Sequence, residues 1–247
     1  MNLKISIITV CWNSAATIEK TIQSVASQTY GNIEYIIVDG KSKDTTLDIV
    51  KKYPDTVTNW VSEQDKGLYD AMNKGIKMAT GDYICIVNAD DTFADDTVIQ
   101  RIAEFLQTNP VDASIGDIVQ HKEDGKIIRE YGAKKWSPEK LKIGFMPPHP
   151  AIFFKKQLFD RLGYYAIDFK IAADYELIIR YFLKNSISWK YSGITTHKML
   201  VGGVSSSGWK SYKKVSEEIK KALRMNDVVF SPFRIDTRVV WKMLDFI

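Results

Sequence analysis

Apolar and polar positions fall in blocks along this chain, and the blocks have two periods. Ile5 to Val10 (ISIITV) is an almost unbroken β-branched run. Residues 33–39 (IEYIIVD), 58–63 (TNWVSE) and 82–87 (DYICIV) form three more runs. Such runs suit strands of a parallel sheet that is covered on both faces. Between them the spacing becomes helical. Ile18, Ile22 and Val25/Ala26 share one face, with Ser14 as the expected N-cap. DTTLDIVKKY predicts a second helix, with Asp44 or Thr45 near its cap. GLYDAMNKGIKMAT predicts a third, with Leu68, Met72, Ile76 and Ala79 on the apolar face and Gly81 as its end. Thr97 to Leu106 predicts a fourth, capped by Asp95 and Asp96. This β-α-β-α-β-α-β order calls for an α/β fold: an open, mostly parallel sheet with helices on both faces.

The unusual polar residues all lie just past a strand end. Cys11-Trp12-Asn13 follow the first strand, Asp39-Gly40 the second, Glu63 to Gly67 the third, and Asn88 to Asp91 the fourth. In a parallel sheet those ends share one edge, where ligands of open α/β sheets bind. Neither G-x-G-x-x-G nor G-x-x-x-x-G-K-[ST] follows the first strand, so no dinucleotide fingerprint or P-loop is supported. Clustered carboxylates repel phosphate unless a divalent cation lies between them. Carboxylate oxygen is the ligand type for Mg²⁺ or Mn²⁺, with substrate oxygens completing the shell. Adjacent acids after a strand also make plain turns and caps. The coincidence of Asp39, Asp65 and Asp90/Asp91 on one edge favours the ligand role for Asp90.

Composition changes the picture little. The chain has 247 residues, 45% of them hydrophobic, enough for one large domain or a domain plus an appendage. A net charge of +4 is too small to argue for nucleic acid, and none is expected as a partner. Cys11 and Cys85 sit in or beside apolar runs without disulfide or zinc spacing, which points to a reducing, cytoplasmic compartment. The N-terminus enters a strand at once, leaving no room for a signal peptide, and no run approaches the ~20 apolar residues of a membrane span.

Several spaced elements together carry a resemblance: Thr-Val-x-x-Asn from Thr9, Val-Asp-Gly-x-Ser-x-Asp from Val38, Asp65-Lys66-Gly67, Met72-Asn73-x-Gly75, and the Asp90-Asp91 pair. In that order they resemble the nucleotide-sugar half of the family-two glycosyltransferases, which have the GT-A fold. The likeness is close over residues 1–110 and looser over an acceptor half, 111–207. There PHPAIFFKKQLFDRLGYYAIDFKIAADYELIIRY is similar to the family's acceptor-side segment. The resemblance implies inverting transfer of a sugar, with a UDP-sugar expected as donor, to a hydroxyl of a glycan or lipid-linked acceptor. It implies a nucleotide-sugar site at Val10, Trp12, Asn13, Asp39, Asp65, Lys66, Asn73, Asn88 and Ala89. It places Mn²⁺ or Mg²⁺ on Asp90 with Asp91 beside it, and a general base at Asp174. The chain departs from the family pattern twice. Asn88 stands where Asp-x-Asp begins, and Ala173 replaces the Glu of Glu-Asp.

Residue chemistry is consistent with this. An acceptor hydroxyl attacks only as a base takes its proton. Asp174 opens a predicted helix, so it serves either as that base or as an N-cap. Glu176 is a rival base, expected on another side of the helix. His149, in a Pro-stiffened loop, is a candidate for lining the acceptor pocket. His197, before the Gly/Ser-rich loop 201–208, is a candidate metal or phosphate contact, and that loop for closing over the donor. His121 precedes a hairpin turn and is expected in solvent. Trp12, Tyr69 and Trp136 are candidates for stacking on base or sugar. The rivals are a nucleotidyltransferase, which normally shows a Gly-rich basic loop after its first strand, a glycoside hydrolase, and a non-catalytic nucleotide-sugar-binding relative.

The tail, residues 208–247, is basic and amphipathic. Tyr212, Val215, Ile219 and Leu223 share one face. Lys213, Lys214, Lys220, Lys221 and Arg224 occupy much of the rest. Phe230, Phe233, Trp241, Leu244 and Phe246 follow, among Arg234, Arg238 and Lys242. It is expected to lie on the inner face of the plasma membrane, to dock on the sheet, or to pair with a second copy as a homodimer.

Overall fold

The structure is a computed structural model and describes residues 2–122, 125–200 and 208–238. Four strands, β1 (Ile5–Cys11), β2 (Ile33–Asp39), β3 (Asn59–Ser62) and β4 (Tyr83–Ile86), pair in parallel. Five more complete the mixed sheet: β5 (Thr92–Phe93), β6 (Ala113–His121), β7 (Ile127–Tyr131), β8 (Ile152–Lys155) and β9 (Trp189–Leu200). Among the described residues the order is β3-β2-β1-β4-β8-β6-β9-β5, with β7 on β6. β8 runs antiparallel to both β4 and β6, which leaves β4, β6 and β9 in one direction.

The pleat sorts the strand residues onto two cores. Ile8, Val10, Ile36, Val38, Ile84 and Ile86 face one way, against Met72 and Ile76 of α3 (Leu68–Met78). Ile5, Ile7, Tyr35, Ile37 and Cys85 face the other way, against α1 (Ile18–Ala26) and α4 (Val98–Thr108). This is why β1, β2 and β4 read as apolar runs, both faces being covered, whereas β3 at the sheet edge is exposed or half-buried throughout. Cys11 and Cys85 are buried free thiols.

Helix starts depart from the sequence expectation. Ser14 is not a side-chain cap for α1. Its carbonyl accepts from Thr17 N and Ile18 N at 3.0 Å each, closing a turn one step before the helix. Asp44 does act at the start of α2 (Thr46–Val50), where Oδ1 accepts from Thr46 N at 3.1 Å. Asp95 likewise accepts from Thr97 N at 2.9 Å, just before α4. Leu68 is not on the buried face of α3; it is 52% exposed, and Tyr69 takes the inward position. At the sheet end away from the strand C-termini, Glu34 is buried between Ser6, Thr80 and Lys4. Burial alone would raise its carboxyl, but hydrogen bonds from Ser6 and Thr80, with Lys4, outweigh this and hold it at about 2.

The second half of the chain contributes α5 (Gln157–Leu162) and α6 (Ala173–Ile178), the latter running on into a π-helical turn, Ile179–Lys184. Two helices of the tail follow, α7 (Gly208–Met225) and α8 (Pro232–Asp236). The face of α7 that the sequence offered to a membrane is covered by protein. Ile219, Ala222 and Leu223 are buried in the core that holds α6, with Val215 packed against it. Val229 and Phe233, 89% and 69% exposed, lie outside that contact. Trp241, Lys242, Leu244, Phe246 and the loop 201–207 lie outside the described residues. Among the described residues, no helix is long and apolar enough to cross a membrane.

Candidate active site

The parallel strands bring the polar loops to one edge, as the alternation requires. Two of those loops are stitched together. Asn13, at φ 49°, accepts on Oδ1 from Lys43 N at 2.8 Å, and its own N–H donates to Ser42 Oγ at 2.7 Å. Asn tolerates this left-handed conformation better than most residues. Asp39 lies underneath, fully buried. Its oxygens accept from Ser42 N at 3.0 Å, from the Ser42 hydroxyl and from Ser62 Oγ at 2.6 Å. Asp39 is therefore an anchor for the loop after β2, rather than an open carboxylate for a base or ribose. Ser42 is the serine of the Val-Asp-Gly-x-Ser-x-Asp motif, whereas Ser62, at the end of β3, carries no signal in the sequence.

Above that anchor the surface opens. A Cβ at Gly40 would lie 2.8 Å from Asp65 Oδ2 and 3.4 Å from Trp12 Cδ1, so a larger residue there would push the tip of the Asp65 carboxylate aside. Trp12 is 67% exposed and offers a free aromatic face. Lys66 is exposed. Val10 and Ala89 are buried beside the crevice. Asn73 does not face it. Its amide is used at both ends by the backbone of Tyr165, donating to O at 2.8 Å and accepting from N at 2.9 Å.

The Asn88 to Asp91 segment is a tight turn, with Asp91 N donating to Asn88 O at 3.1 Å. It separates the two acids. Asp90 is exposed at the sheet edge. Asp91 is buried and accepts from Asn88 Nδ2 at 2.8 Å, while its carbonyl accepts from Thr21 Oγ1. Burial, then the nearby Asp90 charge, pushes the Asp91 carboxyl up to about 7. Asp91 therefore supports the turn from beneath and does not stand beside Asp90 as a second open ligand. Asn88, which departs from the family's first acid, is the donor that fixes it.

Asp174 reaches the same edge from the other half. It is the second residue of α6, whose N-cap is Ala172, so it is not a capping residue. Tyr69, the second residue of α3, spans to it: the phenol donates to Ile171 O and lies 3.5 Å from Asp174 Oδ1. Tyr69 stacks on Tyr165, whose hydroxyl pairs with His149 Nε2 at 2.7 Å. Asp174 is deeply enclosed but keeps an open side. Burial raises its carboxyl above the ordinary range, opposed by the nearby His149 and by hydrogen bonds from Tyr175 N and Tyr69. Burial conversely lowers His149, which lines this pocket.

Other candidates resolve as structure. Glu176 is buried and forked to Arg180, Oε1 to Nε at 3.0 Å and Oε2 to Nη2 at 2.9 Å. It is not available as a base. Trp136 is buried edge-on against Phe182 and Trp189, and Tyr69 is buried too, so of the three aromatics only Trp12 is free to stack. His121, partly covered, bonds to Lys122 O. His197 is completely buried against Phe93, with Nδ1 2.8 Å from Thr196 Oγ1, and is no metal or phosphate contact. Burial holds its imidazole at about 3. The unfolded chain takes up that proton below about 6.5 and the folded chain does not, so this burial costs stability as pH falls from 6.5 towards 3. We expect the wild type to lose about 1–2 kcal/mol more than His197→Leu between pH 7 and pH 5 in denaturant unfolding. Equal losses would show that His197 titrates normally.

The donor set suits a hard cation shared with substrate. Among the described residues no group of three or more His, Cys, Asp or Glu is arranged to hold a metal by itself. One exposed carboxylate, Asp90, stands at the crevice. Mg²⁺ and Mn²⁺ sites of this type use one or two carboxylates and take their remaining oxygens from phosphate and water, so the residues present fit.

The sequence profile described as "Glycosyl transferase family 2" matches residues 6–163. The chain is 30% identical over 225 residues to a PGL/p-HBAD biosynthesis glycosyltransferase of Mycobacterium bovis (strain BCG / Pasteur 1173P2), covering 90% of this chain and 84% of that one. It is 30% identical over 221 residues to the UDP-Glc:alpha-D-GlcNAc-diphosphoundecaprenol beta-1,3-glucosyltransferase WfaP of Escherichia coli, covering 87% and 85%. In fold it is similar to S. aureus TarS 1-349 in complex with UDP-GlcNAc, at TM-score 0.70 and 20% identity, over 90% of this chain and 66% of that one. The chain thus spans just under two thirds of that structure. The mannosyltransferase PcManGT from Pyrobaculum calidifontis, in complex with GDP-Man and Mn²⁺, gives 0.62 and 18%, over 95% and 68%. With its mixed sheet, the polar loops gathered at one edge of its parallel strands, and these relatives, the chain belongs to glycosyl transferase family 2 and is a glycosyltransferase of the GT-A fold that uses a nucleotide-sugar donor.

Proposed function

We propose that this enzyme moves a sugar from a nucleoside-diphosphate-sugar, with UDP the expected nucleotide, to a hydroxyl of a glycan or lipid-linked acceptor, with inversion and with a divalent metal. One observation carries the reading: two carboxylates at the same edge occupy opposite environments, Asp90 exposed and Asp174 enclosed with its pKa raised. Such a division of environments separates a charge-holding group from a proton-accepting one.

Asp90 would hold Mn²⁺ or Mg²⁺. A cation bound there offsets the negative charge that grows on the departing diphosphate. Trp12 stacks on the base or sugar, and Asp65 and Lys66 flank the nucleotide. Asp174 takes the proton of the acceptor hydroxyl as its oxygen attacks the anomeric carbon. The bond to the diphosphate oxygen breaks on the opposite side, which inverts the centre. Enclosure raises the basicity of Asp174, and His149 and Tyr69 bound its pocket. A lipid-linked acceptor is supported by the name of the E. coli relative, which specifies a diphosphoundecaprenol substrate.

The test is nucleoside diphosphate release from a panel of UDP- and GDP-sugars, with Mn²⁺, Mg²⁺ or a chelator. We expect release from at least one donor that requires the cation. Equal release in chelator would overturn the metal role. Binding without release from any donor, with acceptor glycolipid supplied, would favour a non-catalytic relative.

A further inference from the structure

Helix α7 grips the segment around Asp174 more closely than hydrophobic docking requires. Glu218 turns both carboxylate oxygens onto one strip of backbone. Oε1 accepts from Lys170 N at 3.1 Å, and Oε2 accepts from Ile171 N and Ala172 N at 2.9 Å each. Successive N–H groups converging on one anion form a nest. Lys221 Nζ is paired with the Asp168 carboxylate and lies 4.2 Å from the centre of the Phe169 ring. Further along, Asn226 Nδ2 donates to Glu176 Oε1 at 3.1 Å. Positions 218 and 222 share one face of the helix, with 221 beside them and Asn226 one residue past its end. Ala222, in the middle, is fully buried. α7 and the residue just past its end therefore hold the chain just before Asp174 and just after it.

We propose that Glu218 is a positioning residue of the transfer reaction: by holding the amides of Lys170 to Ala172 it fixes the entry to α6 and so the aim of the Asp174 carboxylate. This rests on Asp174 being the base. The entry to α6 has no cap of its own, because Ala172 carries no side-chain acceptor. Asp174 Oδ1 already accepts from Tyr175 N at 2.8 Å. Without Glu218, the free amides at the helix start draw the Asp174 carboxylate back onto the backbone. There the helix end holds it ionised, lowers its basicity and turns it from the acceptor. The same strip carries Ile171 O, which accepts from the Tyr69 hydroxyl, so a shift of the strip also moves the phenol beside Asp174.

The test is a double-mutant cycle in the full chain, using the sugar nucleotide of the UDP/GDP panel that is turned over fastest. Glu218→Gln keeps the side-chain volume and one acceptor oxygen; Glu218→Ala removes both acceptors. We expect Glu218→Ala to lower kcat about ten- to hundredfold, the scale of a misplaced catalytic group, with donor KM changed less than about twofold. Glu218→Gln falls between it and the wild type. In the Asp174→Asn background the same changes cost less than about twofold, because the group they aim is gone. Hydrogen exchange at residues 170–172 speeds up in both variants. If Glu218→Ala does not fold, Glu218→Gln carries the cycle. Unchanged kcat in the folded variants, or equal losses in both backgrounds, overturns the positioning role. Wild-type turnover by Asp174→Asn overturns the base assignment and this proposal with it. Normal Glu218 variants beside a defective Asp174→Asn overturn only the proposal.

Discussion

Asp90→Asn is expected to lower sugar transfer roughly a thousandfold, the scale of removing one preorganised electrostatic partner from a developing charge, and to abolish the effect of Mn²⁺ on nucleotide binding. The fold predicts a clean result. Asp90 is exposed at the tip of the turn, whereas Asp91 and Asn88 hold that turn together. Its replacement removes a ligand without removing a support, so stability should change by no more than about 0.5 kcal/mol. Calorimetric titration of nucleoside diphosphate with and without Mn²⁺, beside turnover, checks both parts. Near-normal Mn²⁺-stimulated turnover by the mutant would sink the metal assignment. Asp91→Asn is expected to behave differently, with its main loss in stability, because it disturbs the bond from Asn88.

Asp174→Asn is expected to keep donor affinity and to lose about 10²–10⁴-fold in kcat, the usual worth of a general base. A base acts on the acceptor proton in the transition state, so the loss belongs in kcat rather than in nucleotide binding. The wild-type pH profile should show the same group. Asp174 works only when ionised, and burial raises it from its ordinary 3.8. Activity should therefore climb with pH through a midpoint above that value, and this limb should vanish in the mutant. Glu176→Gln is the contrasting variant. It breaks a buried fork to Arg180, and removing one partner of a buried pair costs about 3–5 kcal/mol. A folded but inactive Glu176→Gln alongside an active Asp174→Asn would reverse the assignment.

Much of this molecule was legible in its residues. The apolar runs from Ile5, Ile33 and Asp82 are strands, and their burial on both faces follows from the helices between them. That the polar loops share one edge was legible too, since a run of parallel strands places its loops at one end. The tail was read as amphipathic, which it is, but the partner of its apolar face could not be read. Val215, Ile219 and Leu223 would suit a bilayer or a protein core equally, and the protein core covers them.

The sequence alone determined the period of the strands and helices of its first half, the sheet edge at which the polar loops gather, and the residue types available there. These depend on neighbours within a few positions, which set backbone conformation and local burial. Only the tertiary structure decided which acids and histidines are free to act. Asp39, Asp91, Glu176 and His197 were candidates beside Asp90 and Asp174, yet each is buried and bonded within the protein. Ser62 closes Asp39 from 23 positions away, and Glu218 reaches Ala172 across 46. A carboxylate's access to water and its hydrogen-bond partners are set by what packs against it in space, and those neighbours leave no mark on the local pattern.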